Sequence, residues 1–220
     1  MKVLGVSGSP IKNSNTDRAV HALLAATGLD TEFVKLSDYT VEPCRACLGC
    51  VKTNVCVVKD DGVALAQKAR ECDAIVIAGF TPYSTLDSRT KAFIERMYPL
   101  RHRNNLMAGK LGAVVMTSAV PHDAPGAPPV CDMGIQAVTN YMQEEGIEFV
   151  GAVKITGNVP CVRCGFGDEC RKSGITMIYG PEATVDSVGI KSFEKQPLSF
   201  ESAEDLGREI ARRLTKGVES

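Results

Sequence analysis

Apolar and polar positions along this 220-residue chain alternate in two rhythms. Short runs rich in valine and isoleucine fall at residues 3–7, 32–36, 74–79, 112–117 and 149–155, each reading as a buried strand. Between them, apolar residues recur at helical spacing and predict helices over about 15–27, 61–72, 88–98 and 132–145. A last helix over about 203–215 places Ala203, Leu206, Ile210 and Leu214 on one face, and Ser202 followed by Asp205 resembles a capping box at its start. Such alternation implies a parallel sheet covered by helices on both faces. Two stretches break the rhythm, a Pro-rich loop at 120–130 and residues 158–197. Met133 and Met142 read as core positions of the fourth helix.

Composition narrows the picture without changing it. A hydrophobic content of 44% and a charged content of 23% are ordinary for a globular chain long enough to bury a large core. A formal charge of −1 and the absence of Trp give no reason to expect nucleic acid as a partner. No apolar run approaches the ~20 residues of a membrane span. The opening MKVLGVSGSP reads as a strand and a glycine turn, with no room for a signal peptide. Nine cysteines without an export signal point to reduced thiols used as ligands in a cytoplasmic setting.

Four of those cysteines fall within thirteen residues, Cys44-x2-Cys47-x2-Cys50-x5-Cys56. Several thiolates converging in one loop serve a structural zinc or a cubane iron–sulfur cluster, and the compact C-x2-C-x2-C run favours the cluster. The first strand runs through Ser7-Gly8-Ser9-Pro10-Ile11-Lys12-Asn13-Ser14-Asn15-Thr16 into a helix. This is neither a Walker A loop nor the dinucleotide glycine pattern. Small hydroxyls, a glycine and a helix N-terminus make it either a phosphate cradle or an ordinary turn capped by Ser14.

Taken in order, GSPIKNSNT, then PCRACLGC with Cys56, then RTKAFIER at 89–96 resemble the iron–sulfur flavoprotein family, within the wider group of NADPH-dependent FMN reductases. The resemblance covers residues 1–118 and loosens beyond. It implies a flavodoxin-like, doubly wound five-stranded parallel sheet of order 2-1-3-4-5; this chain's cysteine-rich loops then follow strands 2 and 5, the second of them a departure from the family. It also implies FMN at the carboxyl edge of the sheet and a 4Fe–4S cluster on Cys44, Cys47, Cys50 and Cys56. Ser7, Ser9, Ser14, Asn15 and Thr16 would hold the FMN phosphate. The family usually has Arg where this chain has Ile11, which leaves Lys12 to supply the positive charge. Pro82, Tyr83, Ser84 and Thr85, with Thr117 and Ser118 at the end of the fourth strand, would hold the isoalloxazine. On this reading residues 1–157 form the FMN-binding core with its first cluster loop at about 40–58. Residues 158–200 form a cysteine-containing insertion, and 201–220 return a helix to the core.

A second set, Cys161-x2-Cys164-x5-Cys170, repeats the spacing of Cys47, Cys50 and Cys56. Three thiolates need a fourth ligand for zinc or a complete cubane, and Cys131 after the fourth strand is the candidate. Cys72, at the opposite edge of the sheet, reads as a buried free thiol. His21 reads as a helix-packing or solvated residue, and His102 as part of a solvated turn. His122 and Asp123 lie near where flavin rings sit, but no conventional catalytic residue is nominated.

The expected function is an iron–sulfur flavoprotein oxidoreductase that relays electrons between cluster and FMN to a small partner, a ferredoxin or NAD(P)H. The alternatives are an NAD(P)H-dependent FMN or quinone reductase with structural zinc, and a non-catalytic redox sensor. Strand spacing puts the two cysteine loops on the order of 20 Å apart with the flavin between them. A homodimer or homotetramer is expected, with neither nucleic acid nor membrane as partner.

Overall fold

The computed structural model describes residues 1–122 and 128–216. Five strands, β1 (Lys2–Ser7), β2 (Asp30–Lys35), β3 (Ala74–Phe80), β4 (Leu111–Ser118) and β5 (Glu148–Thr156), pair in parallel in the order 2-1-3-4-5. The helices are α1 (Asn15–Thr27), α2 (Gly62–Glu71), α3 (Ser88–Arg96), α4 (Tyr98–Arg101), α5 (Asp132–Glu144), α6 (Gly174–Tyr179), α7 (Val185–Val188) and α8 (Pro197–Lys216). Strand order and crossover pattern are those of a flavodoxin-like sheet, with its switch point between β1 and β3.

Period-two alternation divides each central strand between two cores. Val76 and Ala78 of β3 and Ala113 and Val115 of β4 face Val20 and Leu23 of α1 and Leu206 and Ile210 of α8. Ile75, Ile77, Val114 and Met116 face the other way, onto Leu65, Phe93, Val138 and Met142. Both faces are covered, which is why these strands read as nearly unbroken apolar runs. Cys72 is buried as expected, its thiol donating to the Ala69 carbonyl at 3.2 Å, and burial pushes it up to about 11. Met142 is in the core, whereas Met133 is exposed at the first turn of α5. His21 stacks against Phe33 at 4.2 Å, and His102 meets Tyr98 edge-on at 4.7 Å.

The last helix begins at Pro197, earlier than its expected start. Proline is well placed in the first turn because its missing N–H would be unpaired there anyway. Ser202 therefore lies inside the helix, its hydroxyl donating to the Leu198 carbonyl at 2.7 Å instead of capping. Residues 158–196 are short helices and turns pinned to the sheet by polar side chains. Asn158 exchanges two hydrogen bonds with the Lys191 backbone, and Gln196 brackets Thr156 through its N–H and carbonyl.

Glu145, at the end of α5, is 3% exposed, and its Oε2 has no hydrogen-bond partner. Burial pushes its carboxyl up to about 7. An unfolded glutamate titrates near 4.3, so stability is fully present below that value and lost as pH rises toward 7. Glu145→Gln is expected to leave stability at pH 4 unchanged and raise it at pH 8, by on the order of 2 kcal/mol. Denaturant melts at the two pH values check this, and equal gains at both would refute it.

Candidate functional site

The loop after β1 is held closed by charges that its own side chains do not supply. Ser14 caps α1 and forms a capping box with Asp17, exchanging bonds of 3.1 Å with it in each direction. Asp17 also accepts from the Ser7 hydroxyl at 2.6 Å. Lys35, at the end of β2, donates to both Asp17 oxygens at 2.9 and 2.7 Å and to the carbonyls of Ser9 and Ile11. A largely enclosed ammonium thus lies under the loop, while Lys12 is exposed on its rim. Gly8 is required by a close approach. Its N–H donates to the Ala78 carbonyl at 2.8 Å, and a Cβ there would stand 1.9 Å from Thr90 Oγ1.

Several expected phosphate ligands are occupied by the protein itself. Asn15 Nδ2 donates to the carbonyls of Thr156 and Lys191, and the Thr16 and Thr117 hydroxyls share a 2.8 Å bond. The first intrahelical bond runs from Arg18 N–H to the Ser14 carbonyl, which leaves the N–H groups of Asn15 and Thr16 to donate outward. With the loop hydroxyls of Ser9 and Ser14 and the dipole end of α1, this is an anion cradle built chiefly from backbone. Ser14-x-x-Asp17 could have been read as a capping signature; nothing in the sequence ties Lys35 to the loop.

Across the switch point, the segment after β3 forms the second wall. Pro82, Tyr83 and Ser84 make a single 3-10 turn in which Tyr83 and Ser84 both have left-handed backbones, with φ of 53° and 61°. Left-handed geometry is costly for bulky residues and gathers at ligand sites. The Tyr83 ring is wholly exposed. Thr85 closes the turn onto the Pro82 carbonyl, Thr81 N–H donates to the Thr117 carbonyl, and Ser118 Oγ accepts from Val120 N–H. Asp87 braces this wall from below, accepting from Thr90 N–H, Thr90 Oγ1 and Phe80 N–H. Burial pushes its carboxyl up. Sequence reasoning missed Asp87 as well as Lys35. Asp123 and the middle of the Pro-rich loop lie outside the described residues.

The first cysteine loop leaves β2 and is clamped at its base. Arg96, 1% exposed at the end of α3, forks onto Asp60 at 2.5 and 2.7 Å and donates to the Glu42 carbonyl at 2.9 Å. Asp60 in turn accepts from Glu42 N–H and Gly62 N–H, so one ion pair joins the two ends of residues 42–60. The Arg96 guanidinium holds the Asp60 carboxyl below its ordinary range. Asn54 pins the middle, donating to the carbonyls of Pro99 and His102.

Cys44, Cys47, Cys50 and Cys56 line a single cavity bounded also by Arg96 and Pro99. Burial pushes the Cys50 thiol up, and Cys56, Cys44 and Cys47 add to the effect. Arg96 Nε is buried without a hydrogen-bond partner, and the Cys56 sulfur acts on its guanidinium. Iron bound there would neutralise the sulfurs, and a cluster sulfur would accept from that N–H, so the residues fit a cluster. Among the described residues no three His, Cys, Asp or Glu side chains already stand in coordinating positions. The four sulfurs share a lining rather than a finished ligand set.

Cys161 is partly buried, and Cys164 and Cys170 are exposed. Cys131, proposed to join them, has a buried thiol. It caps α5 from within the core on the face of α2, α3 and α5, 1% exposed, with its thiol aimed at the Met116 carbonyl at 3.7 Å.

Residues 1–127 match the family model of the NADPH-dependent FMN reductases, and the chain belongs to that family. That makes it a flavodoxin-like, FMN-dependent oxidoreductase by class. Within the class it is similar to an iron–sulfur flavoprotein of Methanosarcina thermophila, 29% identical over 154 residues that cover 69% of this chain and 78% of the relative. An iron–sulfur flavoprotein of Archaeoglobus fulgidus is 32% identical over 123 residues, 54% of this chain and 56% of the relative. The chain thus spans little more than half of the Archaeoglobus protein. Among solved structures, a flavone reductase superposes with a TM-score of 0.64 at 14% identity, over 96% of this chain and 62% of that one. An archaeal flavodoxin superposes at 0.52 and 15% identity, over 98% and 99%. These two share the fold. Among the described residues no helix is long and apolar enough to cross a membrane.

Proposed function

We propose that this chain is an iron–sulfur flavoprotein that passes electrons between a 4Fe–4S cluster on Cys44, Cys47, Cys50 and Cys56 and an FMN held at the β1/β3 switch point. The observation that carries the reading is the shared cavity of the four cysteines, with the unpartnered Arg96 Nε–H on its wall. Bound together, the cluster would exchange single electrons and the flavin one or two. The chain's part is to hold, orient and tune. The N–H groups of Asn15 and Thr16 receive the phosphate, Lys35 neutralises the loop beneath it, and the Tyr83 ring offers a face on which a flavin stacks. No acid–base side chain is needed for electron transfer. A ferredoxin or NAD(P)H is the proposed redox partner. The apolar rim of Leu48, Val55 and Val57 supports a homodimer or homotetramer.

Ile11 offers a direct test of the phosphate site, because its side chain is exposed and only its backbone braces the loop. Ile11→Glu sets a carboxylate at the mouth and is expected to weaken FMN binding at least tenfold, about 1.4 kcal/mol. Ile11→Arg should tighten it. Fluorescence titration of the apoprotein with FMN reads both, and equal affinities for the two variants would remove FMN phosphate from this loop.

A further inference from the structure

The flavin site and the first cysteine loop leave Cys161, Cys164 and Cys170 unused. Their C-x2-C-x5-C spacing is that of Cys47, Cys50 and Cys56, and backbone N–H groups point at two of the three sulfurs, while the Cys164 thiol turns toward the Cys161 carbonyl at 3.5 Å. The Gly174 N–H donates to Cys161 Sγ at 3.3 Å, and the Phe166 N–H donates to Cys164 Sγ at 3.4 Å. A neutral thiol is a weak acceptor, whereas hydrogen bonds to cluster sulfurs are a regular feature of iron–sulfur sites. The turn carrying them is tight, since a Cβ on Gly167 would stand 2.6 Å from the Cys161 carbonyl oxygen. It is also held in place. Asp168 accepts from Val185 N–H at 2.7 Å, and Lys191 further along is bound by both Asn158 and Asn15. Through Asn15 the segment abuts the phosphate loop itself.

A fourth cysteine is missing from this arrangement. Cys131 was the candidate, but it is enclosed in the core with its thiol on the Met116 carbonyl. Cys164 and Cys170 are exposed, so a centre on these sulfurs would face solvent on one side. We propose that Cys161, Cys164 and Cys170 hold a second iron–sulfur cubane by three thiolates alone, leaving its fourth iron open to an exogenous ligand. A structural zinc closes its shell with four Cys or His ligands, and this segment offers three cysteines and no histidine. Arg163, Arg171 and Lys172 flank the three cysteines against only Asp168 and Glu169. That excess of positive charge selects a small anionic ligand, such as a thiolate or cyanide. This centre is independent of the cluster on the first loop, and Cys50→Ala reads that one separately.

The test uses the full chain, prepared anaerobically and reconstituted with ferrous iron and sulfide, with iron, sulfide and zinc counted. The wild type should carry about eight irons, four for each cubane. Cys161→Ser with Cys164→Ser should reduce this to about four, and Cys131→Ser should leave it at about eight. Cyanide or 2-mercaptoethanol should alter the EPR spectrum of the reduced wild type and leave that of the double variant unchanged. Retained FMN shows that the double variant is folded. If it is not, alkylation of the loaded wild type replaces it, with Cys161, Cys164 and Cys170 expected to be protected until a chelator is added. Four irons with these three cysteines freely alkylated would overturn the centre, and stoichiometric zinc on them would overturn its identity. Loss of half the iron in Cys131→Ser, or a spectrum indifferent to cyanide and thiol, would overturn the open position.

Discussion

Arg96→Met is expected to destabilise the fold by about 3–5 kcal/mol and to strip the first cysteine loop of its iron. The guanidinium is almost wholly buried, and its removal leaves the equally buried Asp60 carboxylate without a counter-charge. It also frees the Glu42 carbonyl and so unfastens both ends of the loop that carries the four cysteines. Removing both charges, with Arg96→Met and Asp60→Leu, should recover much of the stability, because an apolar pair can replace a buried ion pair at little cost. Chemical denaturation of the single and double variants measures this, and an unchanged single variant would mean that the clamp is idle. The pair also sets an acid limit. Asp60 is held below its ordinary range, so its contribution is full above about 3.9 and is lost as pH falls through the lower folded value.

Gly8→Ala is the second large effect. The added methyl would sit 1.9 Å from Thr90 Oγ1 and 2.9 Å from an Asp87 oxygen. Thr90 cannot readily give way, since its hydroxyl is bonded to Asp87 at 2.7 Å inside the core. The loop must therefore lift off the β3 wall, at a cost of about 1–3 kcal/mol for overpacking. The outward N–H groups of α1 then lose their alignment with Tyr83 and Thr117. Flavin should be lost from the purified variant while the iron on Cys44, Cys47, Cys50 and Cys56 is retained. Calorimetry together with flavin and iron analysis checks both parts, and full FMN occupancy would show that the close approach is not needed.

The strands were legible because both faces of each are buried, which leaves an unbroken apolar signature with β-branched residues. The start of α8 was not, because two local signals competed and proline at the first position prevailed over the Ser202 cap. The phosphate loop could be recognised as a loop but not assigned ligand by ligand. The Ser7 hydroxyl is spent on Asp17 of α1, and the side chains of Asn15 and Thr16 on partners that folding brings from β4, β5 and residue 191, which lie far off in sequence. Lys35 and the Arg96–Asp60 clamp escaped for the same reason, the latter pair being 36 residues apart. Cys131 shows the limit of topology. The strand order placed it correctly at the carboxyl edge, but its side chain turns into the core, and edge position alone does not specify that.

The most direct test of an iron–sulfur flavoprotein is EPR of the anaerobically isolated, reduced protein, compared with its Cys50→Ala variant, with FMN, iron and zinc counted in both. A flavin-containing wild type with a cluster signal, and a variant that keeps FMN but loses that signal and about four irons, is the predicted result. Stoichiometric zinc without iron, or a signal and iron content unchanged in the Cys50→Ala protein, would contradict it.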